Sequence, residues 1–147
     1  MAIRKPLVWN GSMVEQLQSG DTMEISTTGV DVIDLEAAVA LTLGEAVYIS
    51  AAGTVSKSQA NASATSKVFG FVRETTIESG ASGEIQTDGV LTGLTGLTAG
   101  STYYLSADTA GAFTTTAPTE VGKFITKLGT AISTTEMEIS IREPIKL

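Results

Sequence analysis

An eleven-residue stretch in the middle of this chain occurs twice. Leu41–Ala51 (LTLGEAVYISA) returns as Leu97–Ala107 (LTAGSTYYLSA) at a constant offset of 56 residues. Each copy runs into a glycine turn and a short polar strand, and later reaches an apolar stretch broken by glycine, at Val68–Val72 and Lys127–Ile132. Such self-similarity predicts a fold that repeats one supersecondary unit, and two copies are too few for a solenoid. The pattern therefore predicts a closed or sandwiched β domain with pseudo-twofold character.

From residue 41 onward the chain has the composition of an all-β protein. It holds 22 Thr and 14 Ser among its 147 residues, and Thr and β-branched aliphatic residues favour pleated, half-buried surfaces. Glycine turns recur about every 8–12 residues, the spacing typical of a barrel or sandwich. In Glu136–Arg142 strict alternation places Met137, Ile139 and Ile141 on one face. We therefore predict a β-barrel or β-sandwich built from two pseudo-repeats. The expected strands lie near residues 46–50, 54–58, 67–73, 84–91, 102–106, 112–116, 122–132 and 136–142.

The organisation predicted along the chain has three parts. Residues 1–25 form an extended N-terminal arm, residues 26–40 form a connector, and residues 41–147 form the β domain. The pseudo-repeats within that domain span residues 41–91 and 97–142.

Two segments of the chain have weak local signals. In the connector, Val30, Val32 and Leu35 indicate a strand, while Asp34 is also a residue that can cap a short helix; we favour an extended segment. The small-residue stretch 58–66 has no apolar face to bury, so we expect a loop or a single helical turn on the surface.

The composition excludes several kinds of chemistry. The chain has no Cys and no His, which removes thiolate metal sites, disulfides and the usual catalytic triads. Its formal net charge is −7, and only Arg4 and Lys5 are adjacent among nine scattered basic residues, so no basic face for nucleic acid is predicted. No apolar run is long enough for a membrane helix, and no h-region follows the N-terminal charges. We expect no cofactor and no enzymatic activity.

The carboxylates offer two weak candidate sites. Asp31, Asp34 and Glu36 carry the oxygen ligands that calcium prefers, but their spacing does not match an EF-hand, so a solvated loop is favoured. Glu136 and Glu138 lie on one face of a predicted strand, and paired carboxylates serve glycosidases. Since that face is expected to be solvated, we interpret the pair as ordinary surface residues.

The tyrosines occupy repeated positions. Tyr48 and Tyr104 are 56 residues apart, and Tyr103 lies beside the second. Such side chains either line a sugar-binding groove or anchor a strand through their hydroxyl groups. Because folding requirements recur in each copy, the duplication favours the anchoring role.

The N-terminal arm carries the predicted partner-binding residues. Trp9 is the only Trp of the chain, and Trp is enriched at interface hot spots. The arm either docks on a partner or folds back on its own domain, and Lys5–Pro6 favours an extended backbone that suits addition to a neighbour's sheet. The residues predicted to bind a partner are Ile3, Leu7, Val8, Trp9 and Leu17.

Both the arm and the body resemble structural proteins of tailed-bacteriophage virions. Lys5–Val8 followed by Glu15–Thr22 resembles the N-terminal segment of such proteins. The body resembles a β domain of phage decoration and fibre proteins. Its matching stretches are Gly44–Ile49, Gly70–Val72, Gly80–Gly83, Gly89–Leu94 and Tyr103–Ser106. The resemblance covers most of the chain and implies a protein displayed on a capsid or tail, commonly as a homotrimer, with no catalytic residues.

The sequence thus leads to two functional hypotheses. The first is a phage capsid decoration protein, a cement or head-fibre protein that binds the major capsid protein on the capsid exterior after assembly in the bacterial cytoplasm. The alternative is a tail-fibre or baseplate component that contacts host-surface glycans through its tyrosines. A carboxylate-based glycosidase is the least favoured hypothesis.

Overall fold

The computed structural model describes residues 30–147, together with two short strands near the N-terminus, β1 (Val8–Trp9) and β2 (Val14–Glu15). Within residues 30–147 the chain contains strands and turns but no helix, which confirms the predicted all-β class. The eight predicted strands all occur, two of them divided in two. The strands are β3 (Asp31–Ala37), β4 (Leu41–Thr42), β5 (Ala46–Ala51), β6 (Thr54–Lys57), β7 (Gly70–Val72), β8 (Thr76–Ile77), β9 (Ser82–Asp88), β10 (Val90–Leu91), β11 (Thr102–Leu105), β12 (Phe113–Thr114), β13 (Phe124–Ile125), β14 (Lys127–Ala131), β15 (Met137–Ile139) and β16 (Ile145–Lys146).

The first repeat forms a closed five-stranded barrel. Its strands follow the order β3-β6-β5-β7-β9, and β9 pairs back onto β3. Closure depends on a short parallel contact in which Glu36 pairs with Thr54 and Ala37 pairs with Val55. The side chains that fill this barrel are Ala37, Leu41, Val47, Val55, Val72, Ile77 and Ile85, with Leu35 and Phe69 packed against them.

The second repeat forms an open sheet with the same strand order. Reading from its edge, the order is β12-β11-β14-β15-β10, which matches β6-β5-β7-β9-β3 of the barrel strand for strand. The pair that would close this sheet, β10 with β12, is not formed. The equivalent of the seven-residue strand β3 is the two-residue strand β10, and β12 is also only two residues long. Strands this short cannot reach around to each other, so the second copy stays open.

Hydrogen bonds repeat between the two copies as well. The Gly44 amide donates to the Val72 carbonyl at 2.9 Å, and the Gly100 amide donates to the Ala131 carbonyl at 2.7 Å. Both glycines adopt positive φ angles, of 84° and 82°, a conformation that non-glycine residues rarely adopt. The duplication seen in the sequence is therefore a duplication of backbone geometry.

Strand β7 and the first two residues of β5 are buried on both faces of the barrel sheet, and this joins the repeats. Val47 and Val72 point into the barrel, while their neighbours Ala46 and Phe71 point out of it into a second core. The Phe71 ring meets Phe113 of the open sheet edge-on, with a centroid separation of 6.4 Å. The members of the second core come from both repeats and are Ala46, Ala60, Phe71, Leu91, Leu94, Leu97, Tyr103, Leu105, Phe124, Leu128, Ala131, Met137 and Ile139.

The segment 58–66, predicted to lie on the surface, is exposed only at residues 61–64, and the prediction is wrong for its two ends. Ser58, Ala60 and Ser66 are fully buried. The Ala60 amide donates to the Ser106 carbonyl, and the Ala60 carbonyl accepts from the Phe124 amide. Small residues allow the backbone to enter the space between the repeats, where the second copy satisfies its polar groups.

Part of the predicted connector belongs to the barrel. Residues 31–37 form the strand β3, as the extended interpretation predicted, and the alternative helix does not occur. The β body therefore begins before residue 41. The alternation in β15 is also confirmed, since Met137 and Ile139 are buried and Glu138 is exposed.

Gly129→Ala should lower the free energy of unfolding by about 3 kcal/mol, because its Cβ would overlap the backbone carbonyl of Glu138 on the neighbouring strand. Gly96→Ala is the control, since it has a positive φ but nothing near its Cβ, and should cost only about 1 kcal/mol. Chemical denaturation measures both values. Equal losses for the two variants would contradict the close approach of β14 and β15.

Ser58→Ala should raise the free energy of unfolding by about 1 kcal/mol, because the buried Ser58 Oγ has no hydrogen-bond partner among the described residues. The buried hydroxyl of Thr126 donates to the Ser66 carbonyl at 2.9 Å, so Thr126→Val should lower the same quantity by about 1 kcal/mol. Denaturant melts of the two variants give the comparison. Destabilisation by Ser58→Ala would show that its hydroxyl is satisfied.

Candidate functional site

Few of the predicted partner-binding residues lie in the described structure. Val8 and Trp9 form β1, which pairs antiparallel with β2 through Val8–Glu15 and Trp9–Val14. Ile3, Leu7 and Leu17 lie outside the described residues. The continuous described body begins at residue 30.

Residue 30 lies in a cleft between the two repeats, which we call the junction cleft. It has a volume of about 420 Å³ and is lined by Val30, Arg73, Gln86, Val90, Thr92, Ile132 and Glu136. Arg73 and Gln86 come from the barrel, whereas Val90 comes from β10 of the open sheet, and Ile132 and Glu136 from the turn between β14 and β15. The cleft is therefore lined by side chains of both repeats.

The lining of the junction cleft combines apolar and charged groups. Ile132 is half exposed, and Arg73 and Glu136 bring one positive and one negative charge. Gln86 is almost fully buried, and its amide nitrogen donates to the Asp88 carbonyl at 3.0 Å. The Arg73 guanidinium is itself within 4.0 Å of the Glu84 carboxylate, so the charge of Arg73 is already partly balanced within the barrel.

The three tyrosines are not equivalent, although two of them repeat. Tyr103, not Tyr48 or Tyr104, is buried in the second core, where its hydroxyl oxygen accepts from the Thr98 amide at 3.0 Å. Its ring packs edge-on against Phe113 at 5.5 Å. The anchoring role predicted for Tyr48 and Tyr104 therefore belongs to their neighbour Tyr103, which is unavailable for a ligand.

Tyr48 instead lines a surface groove on the barrel. The groove has a volume of about 300 Å³ and is mostly apolar. Its other lining residues are Ile49, Ala64, Lys67, Val68 and Phe69. Tyr104 is half-buried on the equivalent strand of the second repeat. The groove was not apparent in the sequence, because it depends on how residues 64–69 cross the end of the Tyr48 strand.

The carboxylate candidates remain on the surface. Asp31, Asp34 and Glu36 are exposed on β3, in a strand rather than the predicted loop. Glu138 is exposed on β15, and Glu136 precedes it. Among residues 30–147 and the two arm strands, no three acidic side chains come together as a metal site.

Sequence reasoning missed a second, polar cleft on the open sheet. It has a volume of about 270 Å³ and lies where the chain leaves β12. Hydroxyl groups dominate its wall, and Asp108, Glu120 and Lys123 add charge. The threonine-rich run 114–119 is the only sequence signal for it, and the same composition suits any exposed strand.

No protein-family model matches the chain, and no curated protein is significantly similar to it in sequence. In the part of the chain that the structure describes, no helix has the length and hydropathy needed to cross a bilayer.

Proposed function

We propose that this chain is a phage capsid decoration protein, of the cement or head-fibre kind, that binds the outer surface of the head. In this proposal no residue has a catalytic role. The observation that carries the proposal is a duplicated β body whose two repeats share a core, with Val30, the first residue of the body that the structure describes, in the junction cleft. The resemblance of the arm and the body to virion proteins supplies the context.

The shared core makes the body a rigid module. Phe71 and Ala46 of the barrel pack with residues of the open sheet, and the Ala46 amide donates to the Gly111 carbonyl at 2.9 Å across the two repeats. A body packed in this way holds whatever it displays in a fixed position relative to the point where the arm is attached. This property suits a protein that reinforces or decorates a shell.

The arm supplies the contact with the major capsid protein in this proposal. Leu7, Val8 and Trp9 bring a compact apolar group, and burial contributes about 25 cal/mol per Å² of apolar surface. A modest contact repeated over a lattice, or in each subunit of a homotrimer, gains further through multivalency. We propose that the exposed apolar side chains Ile49, Ile132 and Ile145 contribute to contacts between subunits.

Deletion of residues 1–25 should reduce binding to heads that lack the protein by roughly tenfold or more, because the apolar anchor is lost. Co-sedimentation with such heads from the cognate phage measures the bound fraction. Val121→Ala is the control, since Val121 is 92% exposed and lies outside the arm, and it should bind as the parent does. Undiminished binding by the truncated chain would exclude the arm as the anchor.

A second candidate function rests on the Tyr48 groove. An aromatic ring beside an apolar wall and a lysine is a surface on which a sugar ring can stack and hydrogen-bond. In this alternative the chain is a tail-fibre or baseplate component that contacts host-surface glycans. The buried Tyr103 has no part in it.

Tyr48→Ala should abolish most binding on a glycan array if the groove holds a sugar, because the stacking surface disappears. Tyr104→Ala is the matched control, since it removes the equivalent side chain of the second repeat. Equal binding by the parent chain and both variants, or no binding by the parent, would exclude the glycan alternative.

A further inference from the structure

The barrel leaves one strand edge open. Strand β3 pairs with β9 at six positions, from Asp31 to Glu36, but with β6 at only two, Glu36 and Ala37. Among the described residues, no other strand pairs with β3 over Asp31–Leu35 on that side. The first five residues of β3 therefore run past the start of β6 as an unpaired edge, which is the usual template for an added strand.

The backbone groups on this edge point outward. The Arg73 amide donates to the Glu84 carbonyl at 3.1 Å, so the backbone of Glu84 faces β7 rather than β3. Asp34 lies opposite Glu84, which makes this a non-hydrogen-bonded pair, and its own N–H and C=O face away from β9. Val32, two residues earlier, has the same orientation.

An inward-facing side chain is also uncovered on this edge. Ile33 lies opposite Ile85, and Ile85 is fully buried in the barrel core, so Ile33 is on the core side of the sheet. It is nevertheless 45% exposed, because on the side of β3 where β6 lies no strand extends as far as Ile33. An added strand would bury Ile33 and extend the barrel core by one residue.

The charge of the edge selects its partner. Asp31, Asp34 and Glu36 are all exposed, and β3 contains no basic residue. Two copies of β3 paired with each other would bring like charges together, which is unfavourable. The fitting strand is therefore basic and carries apolar residues at alternating positions.

The arm contains one segment that meets both requirements. Arg4 and Lys5 are the only adjacent basic residues of the chain, and Ile3 and Leu7 lie on the same side of an extended strand as Lys5. Pro6 lacks an N–H, which restricts it to strand edges and suits a strand whose other side remains free.

We propose that residues 3–7 of one copy add as a strand to the open edge of β3 in a second copy, so that the arm links neighbouring subunits. This linkage goes beyond binding to a capsid, and it holds for the purified protein whether or not a head is present. Its test therefore fails or succeeds independently of the proposed function.

Cross-linking tests the linkage directly, because the chain has no cysteine of its own. A Leu7→Cys chain and a tagged Ile33→Cys chain are mixed and treated with a short bis-maleimide, and we expect a tagged–untagged dimer on a denaturing gel. Replacing the second chain by Val121→Cys, whose position is more exposed than Ile33, should give little product. Equal yields from the two mixtures would overturn the proposal. The proposal would also be overturned if a chain carrying both Leu7→Cys and Ile33→Cys formed only intramolecular cross-links in the presence of an excess of the cysteine-free parent chain.

Charge reversal gives an independent readout. Asp31→Lys with Asp34→Lys on one chain, or Arg4→Glu with Lys5→Glu, should each weaken self-association by roughly tenfold at low salt, because two ion pairs become repulsive. Sedimentation equilibrium measures the association, and circular dichroism verifies that each variant keeps the β fold. Combining the two reversals should restore association. Association that is unchanged by either reversal, or not restored by their combination, would refute the pairing.

Discussion

The fold depends on strand β7 and the first two residues of β5, which are buried on both faces of the barrel sheet. In β5 and β7 consecutive side chains alternate between two cores, since Ala46 and Phe71 face the open sheet while Val47 and Val72 face the barrel interior. A strand face in contact with water tolerates polar residues, as at Ser50 further along β5, but Ala46–Val47 and Gly70–Val72 have no such face. The two repeats therefore fold against each other, because each one alone would expose its part of the shared core to water.

The same unit closes in one copy and stays open in the other because of strand length. Leu35 and Leu91 are 56 residues apart, and each belongs to the strand that could complete its sheet. Seven residues allow β3 to reach β6, although only at two positions, whereas the two residues of β10 leave the second sheet with free edges. The first copy encloses its own core. The second copy obtains its core by packing on the outside of the first.

The sequence predicts the repeated strands well because their signals are local. Alternation in β15 and the glycine turns of each copy require no knowledge of what packs against them. The burial of Ser58 and Ser66 could not be predicted, since a stretch of small polar residues becomes internal only when another segment satisfies its backbone. For the same reason the sequence could not predict that the tyrosine anchored by its hydroxyl group is Tyr103 rather than the repeated Tyr48 or Tyr104. The site depends on contacts between the copies, and single-strand patterns do not contain them.

A duplicated body with an acidic open edge has consequences for how it assembles. Free edges promote aggregation, and charges on β3 discourage pairing between identical strands. The net charge of −7 already makes copies of the chain repel each other. General repulsion therefore does not explain why acidic residues lie on this edge. An edge that repels itself yet exposes Ile33 next to outward-facing amides instead discriminates among incoming strands. A basic, alternating segment gains both the ion pairs and the buried isoleucine, whereas an acidic strand gains neither. Specific assembly follows from the difference between these two outcomes.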